Sequence, residues 1–317
     1  MRGRGDALDG RPFYYLRGNR AACTRRLESA TTRMATTISQ PRVGPLLHEW
    51  RKRRRLTQLD LALDAGISAR HLSFVETGRS TPSPEMVLLL AEQLEVPIRE
   101  RNQLLLAAGH APAFPERSLQ DPELAGVREA LDLILTGHEP YPAMVIDRGW
   151  NIVAANSAMG AIGAWIDPVL LEEPPANAMR LGLHPKGLAR WIVNLDVVRA
   201  YFVGRLERQV AITGDPDLAC LLEEVAAYPV PSQPEPGPVD ERHPAAGAHA
   251  GEILTPLMRM RPPGGGDLSF FATVATFGTA AEVTTSELSI ELAFPADTAT
   301  AEALQRPQRP RRSMLPT

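Results

Sequence analysis

The sequence predicts a multidomain chain, in which an all-α domain of five short helices precedes an α+β domain. Three observations carry that expectation. Between Val43 and Gly109, apolar residues recur every three or four positions in short runs bounded by capping residues, glycines or prolines. After Pro140 the period shortens to two in several segments, so strands join the helices. Charge divides along the same line: the net charge of −3 combines a basic front (8 Lys/Arg against 3 Asp/Glu over residues 1–41) with an acidic back (15 against 25 over residues 118–317).

The five helices follow from local signals. The first, Val43–Arg54, places Val43, Leu46, Leu47 and Trp50 on one stripe. Thr57 is an N-cap candidate for a second over Gln58–Asp64, with Leu59, Leu61, Ala62 and Leu63 partly inward. Ala65-Gly66-Ile67 makes a turn and Ser68 caps the third. Pro84 opens a fourth, Pro97 a fifth, and Gly109 closes it.

Pro112 and Pro115 mark a connector, and Asp121-Pro122 starts a further helix. Strands are expected at Ala143–Asp147 and Trp150–Ala155, then, beyond long helices opening at Asn194 and Asp215, at Ile253–Met260, Leu268–Phe277 and Glu287–Phe294. The expected divisions are a basic, disordered extension at 1–41, a helical domain at 42–111, an α+β domain at 112–305 and a disordered Pro/Arg-rich tail at 306–317. Within the third, residues 229–251 are too rich in Pro, Gly and Ala to bury a core and are expected to be disordered. Met34 opens the stretch that leads into the first helix and is the expected natural start. The alternative makes residues 1–33 a basic arm.

The functional signal is concentrated in residues 68–80, SARHLSFVETGRS. At 100° per residue, Leu72 and Val75 fall on the core side, and Arg70, Phe74 and Thr77 cluster on the other, with Ser73 at its flank. A short helix packed on another, presenting arginine outward near its start, suits a DNA major groove. Arginine can donate bidentately to guanine, and an exposed phenylalanine can pack on a thymine methyl. Gln58 at a helix N-terminus, and Arg79 and Ser80 beyond Gly78, are placed for phosphate. Arg51–Arg55 adds five basic residues; they are either further phosphate contacts, Arg51 included, or a solvated helix end favoured by the dipole.

Residues 43–96, with Gln58, Ala62, Gly66, Leu72, Glu76-Thr77-Gly78 and Leu90 through Val96, resemble the XRE (Cro/phage-repressor type) helix-turn-helix. That resemblance implies base reading at the positions of Ala69, Arg70 and Phe74, phosphate contact at Gln58 and Arg79, and a structural ion pair between Arg51 and Glu76. The segments HEPYPAMVIDRGWNIVAAN, NAMRLGLHPKGLARWIVNL, TGDPDLACLLEEVAAYP and LSFFATVATFGT resemble the MmyB-like ligand-binding domain, a PAS-like sensor. This second resemblance implies a small ligand, apolar or fatty-acid-like, held between sheet and helices. Polar candidates for contacting it are Asn156, Arg180 and His184. Each has a structural alternative, as helix cap, local charge or loop hydrogen bonder.

Enzymatic classes find no support. The seven histidines show no HExxH or metal-ligand spacing, and no GxGxxG or P-loop occurs. No catalytic residue, metal or cofactor is expected, and with no apolar run near 18 residues no membrane partner either. The two cysteines indicate a reduced, cytoplasmic protein. The expected function is a sequence-specific transcription regulator, a homodimer on a palindromic operator in double-stranded DNA, switched by a small molecule. The alternative reserves the second domain for dimerisation or protein recruitment.

Overall fold

The computed structural model describes residues 42–171, 175–230, 256–278 and 280–305. The extension at 1–41, the tail at 306–317, nearly all of the 229–251 loop and the start of the strand expected at Ile253 therefore lie outside the described residues.

Helix α1 (Val43–Arg53) buries Val43, Leu47 and Trp50, with Gly44 among them. Gly44 lets α1 lie hard against the third helix, since a Cβ there would stand 2.4 Å from the Glu76 carbonyl oxygen. A capping box starts α2 (Gln58–Asp64): the Thr57 hydroxyl accepts from the Asp60 N–H, and the Asp60 carboxylate accepts from the Thr57 N–H. Gly66, with φ +64°, turns the chain through the left-handed region. The Ser68 hydroxyl then caps α3 (Ala69–Glu76) at 3.1 Å from the His71 N–H. Helices α4 (Pro84–Gln93), capped by Ser83, and α5 (Ile98–Ala107) complete the bundle. Its core joins Leu47, Leu61, Leu72, Val75, Leu90 and Leu105. Each such fully buried side chain contributes about 1.5–3 kcal/mol relative to exposure. Leu59 and Leu63, expected partly inward, are 58% and 69% exposed. They stand two positions either side of Leu61, about 200° around the helix, so burying Leu61 turns both outward.

Asn102 pins the connector to α5. Its carbonyl oxygen accepts from the Ala113 and Phe114 N–H groups, both at 3.0 Å, and its amide donates to the Phe114 carbonyl. The Asp121-Pro122 start forms a 3-10 turn, Pro122–Leu124, before α6 (Ala125–Gly137). Five antiparallel strands follow: β1 (Ala143–Ile146), β2 (Ile152–Ala155), β3 (Met258–Met260), β4 (Leu268–Thr276) and β5 (Ser289–Pro295), in the order β2-β1-β5-β4-β3. Alternation sorts their side chains. Ala143, Val145, Ile290 and Leu292 face Leu131 and Leu135 of α6. Met144, Ile146, Phe270 and Ala293 face the opposite layer. That layer is built from α8 (Ala178–Leu183), α9 (Leu195–Thr213) and α10 (Pro216–Ala226), while the short α7 (Ser157–Gly163) follows β2.

The strands' limits differ from expectation. β1 and β4 end one residue early, β5 runs on by one to Pro295, and β2 begins at Ile152 because Trp150, with φ +65°, belongs to the turn. Among the described residues β3 covers only Met258–Met260. β5 begins at Ser289 because Glu287 ends a one-turn helix, α11 (Val283–Ser286). The Glu282 carboxylate nucleates that turn by accepting from the Thr285 N–H at 2.7 Å. It also accepts from the Arg117 N–H in the connector, at 2.8 Å. The terminal α12 (Thr298–Gln305) is a further element that alternation did not announce.

The domains meet through arginines. Arg99 of α5 grips Glu287 with two donors, at 2.6 and 2.8 Å. Arg148, in the β1–β2 turn, reaches Glu100 of α5, Glu287 and Asp215. Arg53 of α1 donates to the Thr213 carbonyl at the C-terminus of α9, at 2.7 Å.

Candidate nucleic-acid interface

Helix α3 is anchored from beneath by one carboxylate. Glu76, at its last turn, accepts from Arg51 Nε at 2.7 Å and Nη2 at 2.9 Å, from Gln58 Nε2 at 2.7 Å, and lies 3.0 Å from His48 Nδ1. Arg51 Nη1 donates to the Leu56 carbonyl at 2.8 Å. Burial alone would raise the Glu76 pKa, but the donors from Arg51, Gln58 and His48 prevail and hold it down at about 2. The ion pair thus ties the C-terminal half of α1, the start of α2 and the end of α3 into one body. His48 was not foreseen; its position one turn before Arg51 on α1 was the available signal.

With Glu76 fixed, the outer face of α3 is set. Arg70 is exposed and its guanidinium carbon lies 5.4 Å from the Phe74 ring centroid. Arg79, past the helix end, approaches the same ring at 5.8 Å. Ala69, Ser73 and Phe74 are partly exposed on this face, and Ser80 folds back so that its N–H donates to the Phe74 carbonyl at 3.1 Å. The two arginines that the sequence assigned to base and phosphate are therefore gathered around one aromatic ring.

The basic run resolves residue by residue. Arg51 is buried and its donors are spent on Glu76 and Leu56, so it is placed as a structural residue rather than a phosphate contact. Arg54 caps the end of α4 through the Leu94 and Glu95 carbonyls. Arg53 pairs with Glu49 and reaches Thr213. Lys52 and Arg55 are exposed. Gln58 gives its side-chain amide donor to Glu76 at the start of α2.

The three ligand candidates do not converge. Asn156 is 1% exposed, caps α7 by accepting from the Met159 N–H and from the Ala143 N–H, and donates to the Tyr141 carbonyl at 2.8 Å. Those partners occupy it as a structural joint between β1 and α7. Arg180 and His184 do lie together. Arg180 forms a two-donor pair with Glu224, at 2.8 and 2.7 Å, and Tyr228 bridges the Glu224 carboxylate to the edge of the His184 ring. Burial opposes ionisation of Glu224, yet Arg180 and Tyr228 hold its pKa below the usual carboxylate value.

Among the described residues no cluster of three metal-ligating side chains occurs, and no helix is long and apolar enough to cross a membrane. Comparison with known proteins agrees with this layout. A helix-turn-helix family matches residues 47–101. An uncharacterized HTH-type transcriptional regulator of Bacillus subtilis (strain 168), RghRB, is 38% identical over 115 residues, which is 36% of this chain and 74% of that protein. The structure of an RNA-binding light-oxygen-voltage receptor aligns over 90% of this chain and 66% of its own length, with 13% identity and a TM-score of 0.24, too low to bear on fold or function. The family described as the MmyB-like transcription regulator ligand binding domain matches residues 127–306, more than half of the chain. The chain is thus a DNA-binding transcription regulator that belongs to the MmyB-like ligand-binding-domain family, with a helix-turn-helix at its front.

Proposed function

We propose that the chain is a cytoplasmic, sequence-specific regulator that reads a palindromic operator as a homodimer and responds to a small apolar or fatty-acid-like ligand. The observation that carries the DNA reading is the exposed face of α3, where Arg70 and Arg79 flank Phe74 while Glu76 is locked beneath. Arg70, Phe74, Ser73 and Ala69 take the base edges, and Arg79, Ser80 and the N-terminus of α2 at Gln58 take phosphates. One helix spans only a few base pairs, so two copies about 34–36 Å apart supply useful affinity. The ligand's place in this reading is the apolar layer between the sheet and α9, where Met144, Ile146, Phe202 and Val203 meet. A ligand there acts only through a difference in its affinity for the two arrangements of the reading heads.

The test begins with selection of a duplex from a random pool. Arg70→Ala should then lower affinity for the selected duplex roughly five- to 150-fold, the value of one bidentate base contact, and change affinity for scrambled duplex little. Equal losses on both would remove the base-reading role. A second reading, in which the C-terminal domain only dimerises or recruits a protein, is favoured by Phe271. That ring is 39% exposed on the sheet face that carries α6, and it stacks on Phe294 at 5.3 Å. It predicts no response to ligand and loss of the dimer when Phe271 is replaced by Ser.

A further inference from the structure

Between the two domains lies a cleft of about 370 Å³, apart from the DNA-facing helix and bordering the apolar layer of the sensor at Ile146 and Trp150. Glu100 of α5 and Pro97 just before it line one side, Arg208 and Ile212 of α9 another, and Ile146 of β1 a third. The volume is that of a site for a small molecule.

Two charged groups in this cleft are incompletely matched. The Glu100 side chain is 8% exposed. Its Oε1 accepts from Arg148 Nη1 at 3.0 Å, whereas its buried Oε2 has no hydrogen-bond partner among the described residues. Arg148 cannot serve both oxygens, because Glu287 and Asp215 share the same guanidinium. Arg99 also grips Glu287, so two arginines face three carboxylates and the floor keeps one surplus negative charge, and buried carboxylate oxygens in folded proteins are nearly always paired. At the rim the sign reverses. Arg205 is spent on Glu291 at 2.7 Å, but Arg208, exposed one turn on, pairs with no carboxylate among the described residues. Ile146 and Ile212 give the space between an apolar lining.

We propose that this cleft binds a small zwitterion of the amino-acid class, its ammonium donating to Glu100 Oε2 and its carboxylate taken by Arg208. An ammonium satisfies the orphaned oxygen and offsets the surplus charge together, which a hydroxyl does not. The anionic end suits an unpaired guanidinium, which binds carboxylates in planar, two-donor fashion. A short methylene chain between them would rest on Ile146 and Ile212. Glu100 belongs to the DNA-binding domain and Arg208 to the sensor, so the occupant joins the two domains through its own ends.

The test is titration calorimetry of the full chain, free of DNA, with ω-amino acids graded from β-alanine to 6-aminohexanoate. Pentylamine and valerate serve as single-ended controls. At least one member should bind with a Kd below about 1 mM, with the single-ended compounds tenfold or more weaker. Glu100→Gln, which keeps shape and removes charge, should weaken binding at least tenfold. Arg208→Ala, a change at an exposed position that leaves the fold intact, should do the same. Failure of every ω-amino acid to bind, valerate binding equally well, or affinity unmoved by Arg208→Ala would each overturn the proposal. A crystal structure at the highest ligand concentration showing only a water on Glu100 Oε2 would do so too. Because the readout needs no DNA and no apolar ligand, failure here leaves the DNA-reading assignment standing.

Discussion

The guanidinium of Arg70 lies 5.4 Å from the ring centroid of Phe74, one helical turn away on the exposed face of α3. An unrestrained surface arginine samples many rotamers, and each costs binding entropy when it is fixed on a base. Contact with an aromatic face narrows that set before DNA arrives. Arg79 approaches the same ring at 5.8 Å, so Phe74 orders two cations as well as offering its own apolar edge.

Phe74→Leu and Phe74→Tyr separate those roles. The leucine keeps an apolar contact and loses the ring, whereas the tyrosine keeps the ring. Two exposed cation–ring contacts amount to about 1–2 kcal/mol. Phe74→Leu should therefore weaken binding to a selected duplex roughly five- to thirty-fold, and Phe74→Tyr much less. Fluorescence anisotropy on both variants decides it, and equal loss would assign the phenylalanine to base packing alone.

Removing one partner of the Arg51–Glu76 pair strands the other charge in a buried site. Glu76→Ala should destabilise the helix-turn-helix by about 3–5 kcal/mol, whereas Arg51→Met with Glu76→Leu should recover most of the loss. Scanning calorimetry of the full chain would show the first transition shifting in the single variant. A single variant as stable as the double would mean that the pair is not buried in solution.

The same carboxylate sets an acid limb. Its pKa is about 2 in the folded chain, against an ordinary carboxylate value near 4.5. A lowered folded pKa contributes stability that is complete above the ordinary value and is lost as pH falls towards the folded one. The wild type should therefore lose stability between pH 4.5 and 2 more steeply than Glu76→Gln. Parallel limbs in urea denaturation across that range would exclude Glu76 as the source.

Gly44→Ala sets two effects against each other. Alanine is the better helix former by about 1 kcal/mol, but its Cβ would stand 2.4 Å from a backbone carbonyl that cannot rotate away. Overpacking of this kind costs about 1–3 kcal/mol, and the steric term should win. A lower melting temperature with weakened DNA binding is the expected result. A stabilised variant would show that α1 can slide off α3 freely.

Much of this was legible in the sequence because the signals were local. Thr57, Ser68 and Pro84 each announced a helix start through chemistry within three residues, and the structure shows those starts. The Arg51–Glu76 pair was reachable only through family resemblance, since it joins positions 25 residues apart. The basic run was read as a surface feature, yet Arg51, Arg53 and Arg54 are engaged by carboxylates and carbonyls that folding delivers from elsewhere. Asn156 was legible as the cap of α7 for the same local reason as the other starts, whereas the partner of Arg180, Glu224, lies 44 residues on and is set by packing. α11 was hidden for another reason: its cap, Glu282, is stabilised partly by Arg117 in the connector.

The bond from Arg53 to the end of α9 makes that helix a strut. Its 19 residues span about 28 Å at the usual rise of 1.5 Å per residue. It is embedded along the sensor's core, and its last turn both holds the β1–β2 turn through Gln209 and receives the Arg53 guanidinium of α1. Through Gly44, α1 in turn rests on the last carbonyl of α3. Axial travel of α9 therefore arrives at the back of the reading helix through two rigid bodies and a single guanidinium. Lengthening or shortening α9 by one turn should re-aim the DNA-facing surface without touching a residue on it.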